Sequence, residues 1–228
     1  MAEQLTFDLP HRTARGREDF FVSPANAVAV ATIEGWAQWP QGKLLLVGPE
    51  GAGKTHLAHV WAERTDARIV AAGDLVRADI AALAGLRALA VEDADRIAGD
   101  RPSEVALFHL HNLLLAEGGV LLLTARRAPR SWPLVLPDLK SRADGTATAT
   151  IAPPDDALLG ALLLKQFADR QLAVAPTLVS YLVGRMERSS AAARDMVAVL
   201  DARALATGRR INRALAAEVL DNPLLCAR

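Results

Sequence analysis

Residues 48 to 55 read Gly48-Pro49-Glu50-Gly51-Ala52-Gly53-Lys54-Thr55, a complete G-x-x-x-x-G-K-[ST] phosphate loop. Its flanks constrain the fold as much as the loop does. The apolar run 43–47 before it reads as a buried strand. Residues 56–64 after it read as a helix with Leu57, Val60 and Trp61 on one face. Glycines let the backbone turn so that its N–H groups point inward at phosphate oxygens, and the start of the helix adds partial positive charge. Lys54 would meet the β- and γ-phosphates, and the Thr55 hydroxyl would ligate Mg²⁺. A glycine-rich turn with no ligand would require neither the lysine nor both flanks. The loop therefore points to a nucleoside di- or triphosphate.

The rest of the chain fits one α/β unit with a small addition. Apolar runs suited to central strands recur at 43–47, 68–72, 87–92, 119–124 and 146–151, with helical patterns between them at about 26–38, 55–65, 74–84 and 102–117. This alternation predicts a five-stranded parallel sheet flanked by helices. Pro153-Pro154 breaks the pattern, and Asp155 is suited to cap a following helix. From there the sequence reads as helices at 155–170, 176–188, 190–207 and 212–220. The expected division is a tail over 1–18, a nucleotide-binding α/β part over 19–152, and a helical lid with a short tail over 153–228.

Composition removes several function classes. The 228 residues carry 26 basic and 26 acidic side chains, so no strong field favours nucleic acid or a membrane surface. The single Cys226 cannot form a disulfide within one chain and suits a reducing compartment. No apolar run approaches the roughly 20 residues of a membrane span. The first residues lack the pattern of a signal peptide. A cytoplasmic protein is expected.

Further candidates follow the loop. Residues 89–93 form a strand ending in Glu92-Asp93, and a phosphate-loop protein needs such carboxylates on a neighbouring strand to hold Mg²⁺ through water and to polarise an attacking water. The alternative is a helix-capping acid with a solvated neighbour. The Glu-Asp order is uncommon, which bears on hydrolysis more than on Mg²⁺. Thr124, at the end of another apolar run, suits a γ-phosphate contact and simple strand termination equally. Arg126, Arg127 and Arg130 read as a solvated loop. Arg142 precedes the fifth strand, on an edge from which its own phosphates are hard to reach; it could meet a neighbour's nucleotide or lie on the surface. Arg194 sits mid-helix among small residues and could fold over the phosphates or face solvent. His56 and His59 share a helix face without a third ligand, so no metal beyond Mg²⁺ is expected.

Together these segments resemble the DnaA-related AAA+ family, over about residues 18 to 222, and within it the shortened Hda branch. Residues 19–26 resemble the lead-in segment that wraps the adenine, with Phe21, Val22 and Asn26 as contacts and Ser23 where the family usually has glycine. Gly48, Pro49, Gly51, Ala52, Gly53, Lys54, Thr55 and His56 match the Walker A segment. Glu92 and Asp93 match the Walker B acids, Thr124 falls at sensor I and Arg194 at sensor II. Residues 136–142 resemble the segment carrying the arginine finger, with Arg142 as the finger. The resemblance implies ADP or ATP with Mg²⁺ held by Thr55, Glu92 and Asp93.

Two features direct the resemblance to the Hda branch. The chain ends after the lid, leaving nothing to build a DNA-reading helix-turn-helix domain. Residues 4–10 (QLTFDLP) are similar to sliding-clamp-binding peptides, in which Gln4 orients the peptide and Leu5, Phe7 and Leu9 anchor it; an apolar-rich disordered tail is the alternative. The resemblance implies a negative regulator of replication initiation. It would bind the DNA-loaded clamp, approach ATP-bound DnaA and use Arg142 to promote hydrolysis of DnaA's ATP. It would have little ATPase of its own, touch DNA only through the clamp, and could form a homo-oligomer. A stand-alone ATPase such as a helicase-loader-like protein and a phosphate-loop small-molecule kinase stay open as alternatives.

Overall fold

The computed structural model describes residues 21–222. The proposed clamp peptide at Gln4, Leu5, Phe7 and Leu9, and Cys226, lie outside the described residues.

Five strands form one parallel sheet: β1 (Lys43–Val47), β2 (Arg68–Ala71), β3 (Ala88–Glu92), β4 (Val120–Ala125) and β5 (Thr148–Thr150), in the order β2-β3-β4-β1-β5. β1 is buried at every position because β4 and β5 flank it and helices cover both faces. One face packs α3 (Ile80–Ala84), α4 (Arg101–Ala116) and α5 (Pro137–Asp144) through Leu107, Leu110, Leu114 and Leu139. The other packs α1 (Ala27–Glu34) and α2 (Lys54–Thr65) through Ile33, Leu57 and Trp61, with Trp39 and Trp61 stacked at 5.4 Å.

A second core is all helical. α6 (Asp156–Asp169), α7 (Pro176–Val183), α8 (Ser190–Thr207) and α9 (Arg213–Leu220) bury Leu159, Leu163, Phe167, Leu182, Val197, Leu200 and Leu215 against one another. Asp155, Ser189 and Asn212 cap α6, α8 and α9 by accepting a backbone N–H three residues on.

The expected helices differ from the observed ones at identifiable punctuation. The first stops at Glu34 because Gly35 follows, and two 3₁₀ turns carry the chain to β1. The pattern at 74–84 divides into a 3₁₀ stretch and α3, which starts afresh where the Asp79 carboxylate accepts the Ala82 N–H. α7 ends at Val183, before Gly184. The segment carrying Arg142 is a helix, α5, opened by Pro137.

Candidate functional site

The phosphate loop joins β1 to α2 at the C-terminal edge of the sheet, where ligands of open α/β sheets bind. Gly51 has φ +72° and Gly53 φ +101°, values that a side chain would strain. Gly48 carries a second constraint: a Cβ there would lie 2.8 Å from the Ile151 carbonyl oxygen. Lys54 is buried and donates to the Gly48 and Pro49 carbonyl oxygens at 2.7 and 2.9 Å, so its ammonium lies across the loop. Burial lowers its pKa, opposed in turn by the charges of Asp93 and Asp95. Thr55 is exposed in the first turn of α2, and His56 beside it is half-buried.

Glu92 ends β3, and Asp93 takes a left-handed conformation at φ +57°. Its N–H donates to the Thr124 hydroxyl at 3.1 Å, so β3 and β4 meet at the two residues proposed for Walker B and sensor I. Thr124 is the last residue but one of β4, close to the expected strand end. Glu92 Oε1 is buried without a hydrogen-bond partner, as befits a carboxylate whose partner is a cation or a cation-bound water. Among the described residues no group of three or more His, Cys, Asp or Glu could hold a metal alone. Mg²⁺ would therefore depend on phosphate oxygens together with Thr55, Glu92 and Asp93. These residues fit that role.

Two side chains here escaped the sequence reading. Arg126, expected in a solvated loop, pairs with Glu50 of the phosphate loop at 2.8 Å. Asp95 accepts the Arg126 N–H at 3.1 Å and leaves its Oδ1 buried without a partner. The only available signal was Asp95's place two residues beyond the acid pair.

The lead-in segment is tied down by Asn26, which is buried. Its amide donates to the Phe21 carbonyl oxygen and its Oδ1 accepts the Ser23 N–H, both at 2.9 Å. Ser23 needs no glycine: its φ is not positive, and its hydroxyl accepts the Ala25 N–H. Phe21 and Val22 are exposed. The lid reaches the loop directly, because the Ser190 N–H donates to the Gly51 carbonyl oxygen at 2.8 Å. Arg194, one turn further, is exposed and paired with its neighbour Asp195.

Arg142 stands at the opposite edge of the sheet. It is exposed in the last turn of α5 and lines a cleft with Lys43, the first residue of β1. The five residues of β1 put about 17 Å of strand between that edge and the phosphate loop. α5 is held by Glu104 of α4, a fully buried carboxylate that accepts the N–H groups of Gly99, Val135 and Leu136 at 2.7–3.1 Å. Glu104 has no role legible in the sequence, since two of its three partners, Val135 and Leu136, lie 31 and 32 residues away.

The fold is that of an AAA+ module: a phosphate loop at one edge of a five-stranded parallel sheet, a carboxylate pair at the end of β3 and a helical lid. The chain is similar in sequence to DnaA. It is 28% identical over 225 residues to the chromosomal replication initiator protein DnaA of Thermomicrobium roseum, covering 89% of this chain and 48% of that protein. It thus spans about half the length of the curated relative it matches. Domain III of Thermotoga maritima DnaA superposes with a TM-score of 0.80 at 17% identity, covering 96% of this chain and all of that one. AMPPCP-bound DnaA from Aquifex aeolicus superposes with a TM-score of 0.70 at 16% identity, covering 81% and 64%. No family profile matches the chain. Among the described residues no helix is long and apolar enough to cross a membrane.

Proposed function

We propose that this chain is an Hda-like AAA+ regulator that binds ADP or ATP with Mg²⁺ and promotes hydrolysis of the ATP held by DnaA, acting on the DNA-loaded sliding clamp. The observation that carries the reading is the position of Arg142: exposed, on the sheet edge remote from the chain's own phosphate loop, and on a helix anchored by Glu104. A guanidinium there serves a neighbour's phosphates. It is always charged, and its planar fork bridges two oxygens as charge builds on the transferred group. Within the chain, Lys54 and the loop N–H groups hold the nucleotide's phosphates, Asn26 sets the segment beside the base, and Thr124 aligns Asp93. Arg194 is assigned to the same nucleotide as a lid contact. Clamp attachment is assigned to Gln4, Leu5, Phe7 and Leu9. Reconstitution with ATP-loaded DnaA, clamp and DNA tests the reading. Wild type should accelerate ATP loss, and Arg142→Ala should not; equal acceleration by the two would refute the mechanism.

A second reading, hydrolysis at the chain's own site, draws on the unpartnered Glu92 Oε1. Turnover by the purified chain alone, abolished by Glu92→Gln, would favour it.

A further inference from the structure

The cleft at the Arg142 edge has chemistry that a single finger does not require. It has a volume of about 590 Å³ and is walled by Gln41, Gly42 and Lys43 ahead of β1, His111 and Asn112 of α4, Gly118 and Gly119 ahead of β4, and Arg142 of α5. Glycines bring its walls close: Gly42 has φ +67°, and a Cβ there would sit 3.2 Å from the Gly119 carbonyl oxygen.

Lys43 is the unusual member. It is only 3% exposed, yet its Nζ has one side-chain partner among the described residues, His111 Nε2 at 3.3 Å. The other imidazole nitrogen, Nδ1, lies 3.3 Å from Asn112 Oδ1, which can only accept. Nδ1 therefore carries the proton, and Nε2 accepts from the lysine. The imidazole is neutral, in keeping with a pKa lowered to about 4 by burial and then by the Lys43 charge. Two protons of the lysine are left without side-chain acceptors. Among the described residues no carboxylate pairs with Lys43 or Arg142. Buried ammonium groups are normally paired, and an unpaired one beside a guanidinium is unfavourable until an anion arrives.

We propose that Lys43 and Arg142 form a two-cation phosphate site, and that its occupant is the terminal phosphate of a nucleotide held by a docked AAA+ module. The cleft itself stands on the geometry above; the identity of the carrier rests on the trans role of Arg142 proposed for this chain. Lys43 supplies a compact point charge at the back of the cleft, and Arg142 supplies a planar fork at its mouth. His111, by accepting one lysine proton, turns the remaining two toward the cavity.

Titration of the ¹⁵N-labelled full chain with inorganic pyrophosphate tests the site without any partner. Saturable shifts are expected at the amides of Asn112, Gly118 and Gly119, with affinity reduced at least tenfold in Lys43→Met and in Arg142→Gln. The second variant changes an exposed residue and guards against misfolding of the first. Absent shifts at these amides, or wild-type affinity in either variant, would overturn the site. Shifts at Gly51 to Thr55 report the phosphate loop separately, so failure of that reading shows at different residues. The carrier is tested with ATP-loaded DnaA, clamp and DNA: Lys43→Met should lower stimulated hydrolysis at least tenfold. Full stimulation by a variant that has lost pyrophosphate binding would overturn the docked module as the source and leave free phosphate.

Discussion

The two edges of the sheet treat charge in opposite ways. At the phosphate-loop edge, cations and carboxylates are interleaved: Lys54 lies near Asp93 and Asp95, and Arg126 pairs with Glu50. At the Arg142 edge, Lys43 and Arg142 share a cleft whose walls carry no acid. The first arrangement keeps its cations partnered, as suits a site that must also hold Mg²⁺. The second leaves a positive field that only an external anion can neutralise. The difference suggests one edge organised to hold the chain's own nucleotide and another organised to meet phosphate on a partner.

Substitutions can break this comparison. The largest effect is expected for Arg142→Lys: stimulated hydrolysis of DnaA-bound ATP should fall by about 10², nearly as far as with alanine, because a point charge lacks the fork. Recovery of most of the activity in single-turnover assays would mean that charge alone suffices. Next, Lys54→Ala should weaken ADP binding by roughly 1.5–3 kcal/mol, or about 10- to 100-fold, leaving pyrophosphate shifts at Gly118 and Gly119 unchanged. Calorimetric titration with unaltered ADP affinity would show that the loop carbonyls, and not phosphates, are the lysine's working partners. Glu104→Gln should lower stability to urea by about 1–2 kcal/mol, since one carboxylate oxygen becomes a donor facing backbone N–H groups. No change in midpoint would remove Glu104 as the anchor of α5.

A pH dependence tests the same edge by stability alone. His111 ionises near 4 in the folded chain against an ordinary 6.5, because burial and then Lys43 disfavour its charged form; the Asn112 hydrogen bond opposes them, and Arg142 adds a smaller push downward. Between these values the unfolded chain takes up a proton that the folded chain does not. The contribution of His111 to stability is therefore full above 6.5 and is lost as pH falls toward 4. Urea unfolding from pH 7 to 4 should show a shallower decline in His111→Gln than in wild type. Parallel curves would mean that the imidazole is not held neutral.

Legibility in the sequence followed chain distance. The phosphate loop, the acid pair and the strand–helix alternation are local patterns, and the strands appear within one or two residues of their expected places. The features that were not legible are assembled from distant segments. Glu104 finds its acceptor role only when residues 99, 135 and 136 converge on it, and the Lys43–His111 contact spans 68 residues. Arg126 looked like any loop arginine because its partner, Glu50, sits on a different strand end. α5 is the exception: Pro137 with Asp138 in the first turn is a local helix start, yet the expected helices do not include it.

The bond from the Ser190 N–H to the Gly51 carbonyl oxygen has a mechanical consequence. It fastens the short end of a long lever. α8 runs 18 residues, or about 27 Å, from that point. A rotation of roughly 10° about its first turn would carry Thr207 about 5 Å, whereas Gly51 would hardly move. A small adjustment of the loop around a phosphate would thus emerge magnified at the far end of the lid. Distances between spin labels at Thr207 and at Arg68 of β2, compared with and without ADP, would measure the gain; an unchanged distribution would show the lever to be locked.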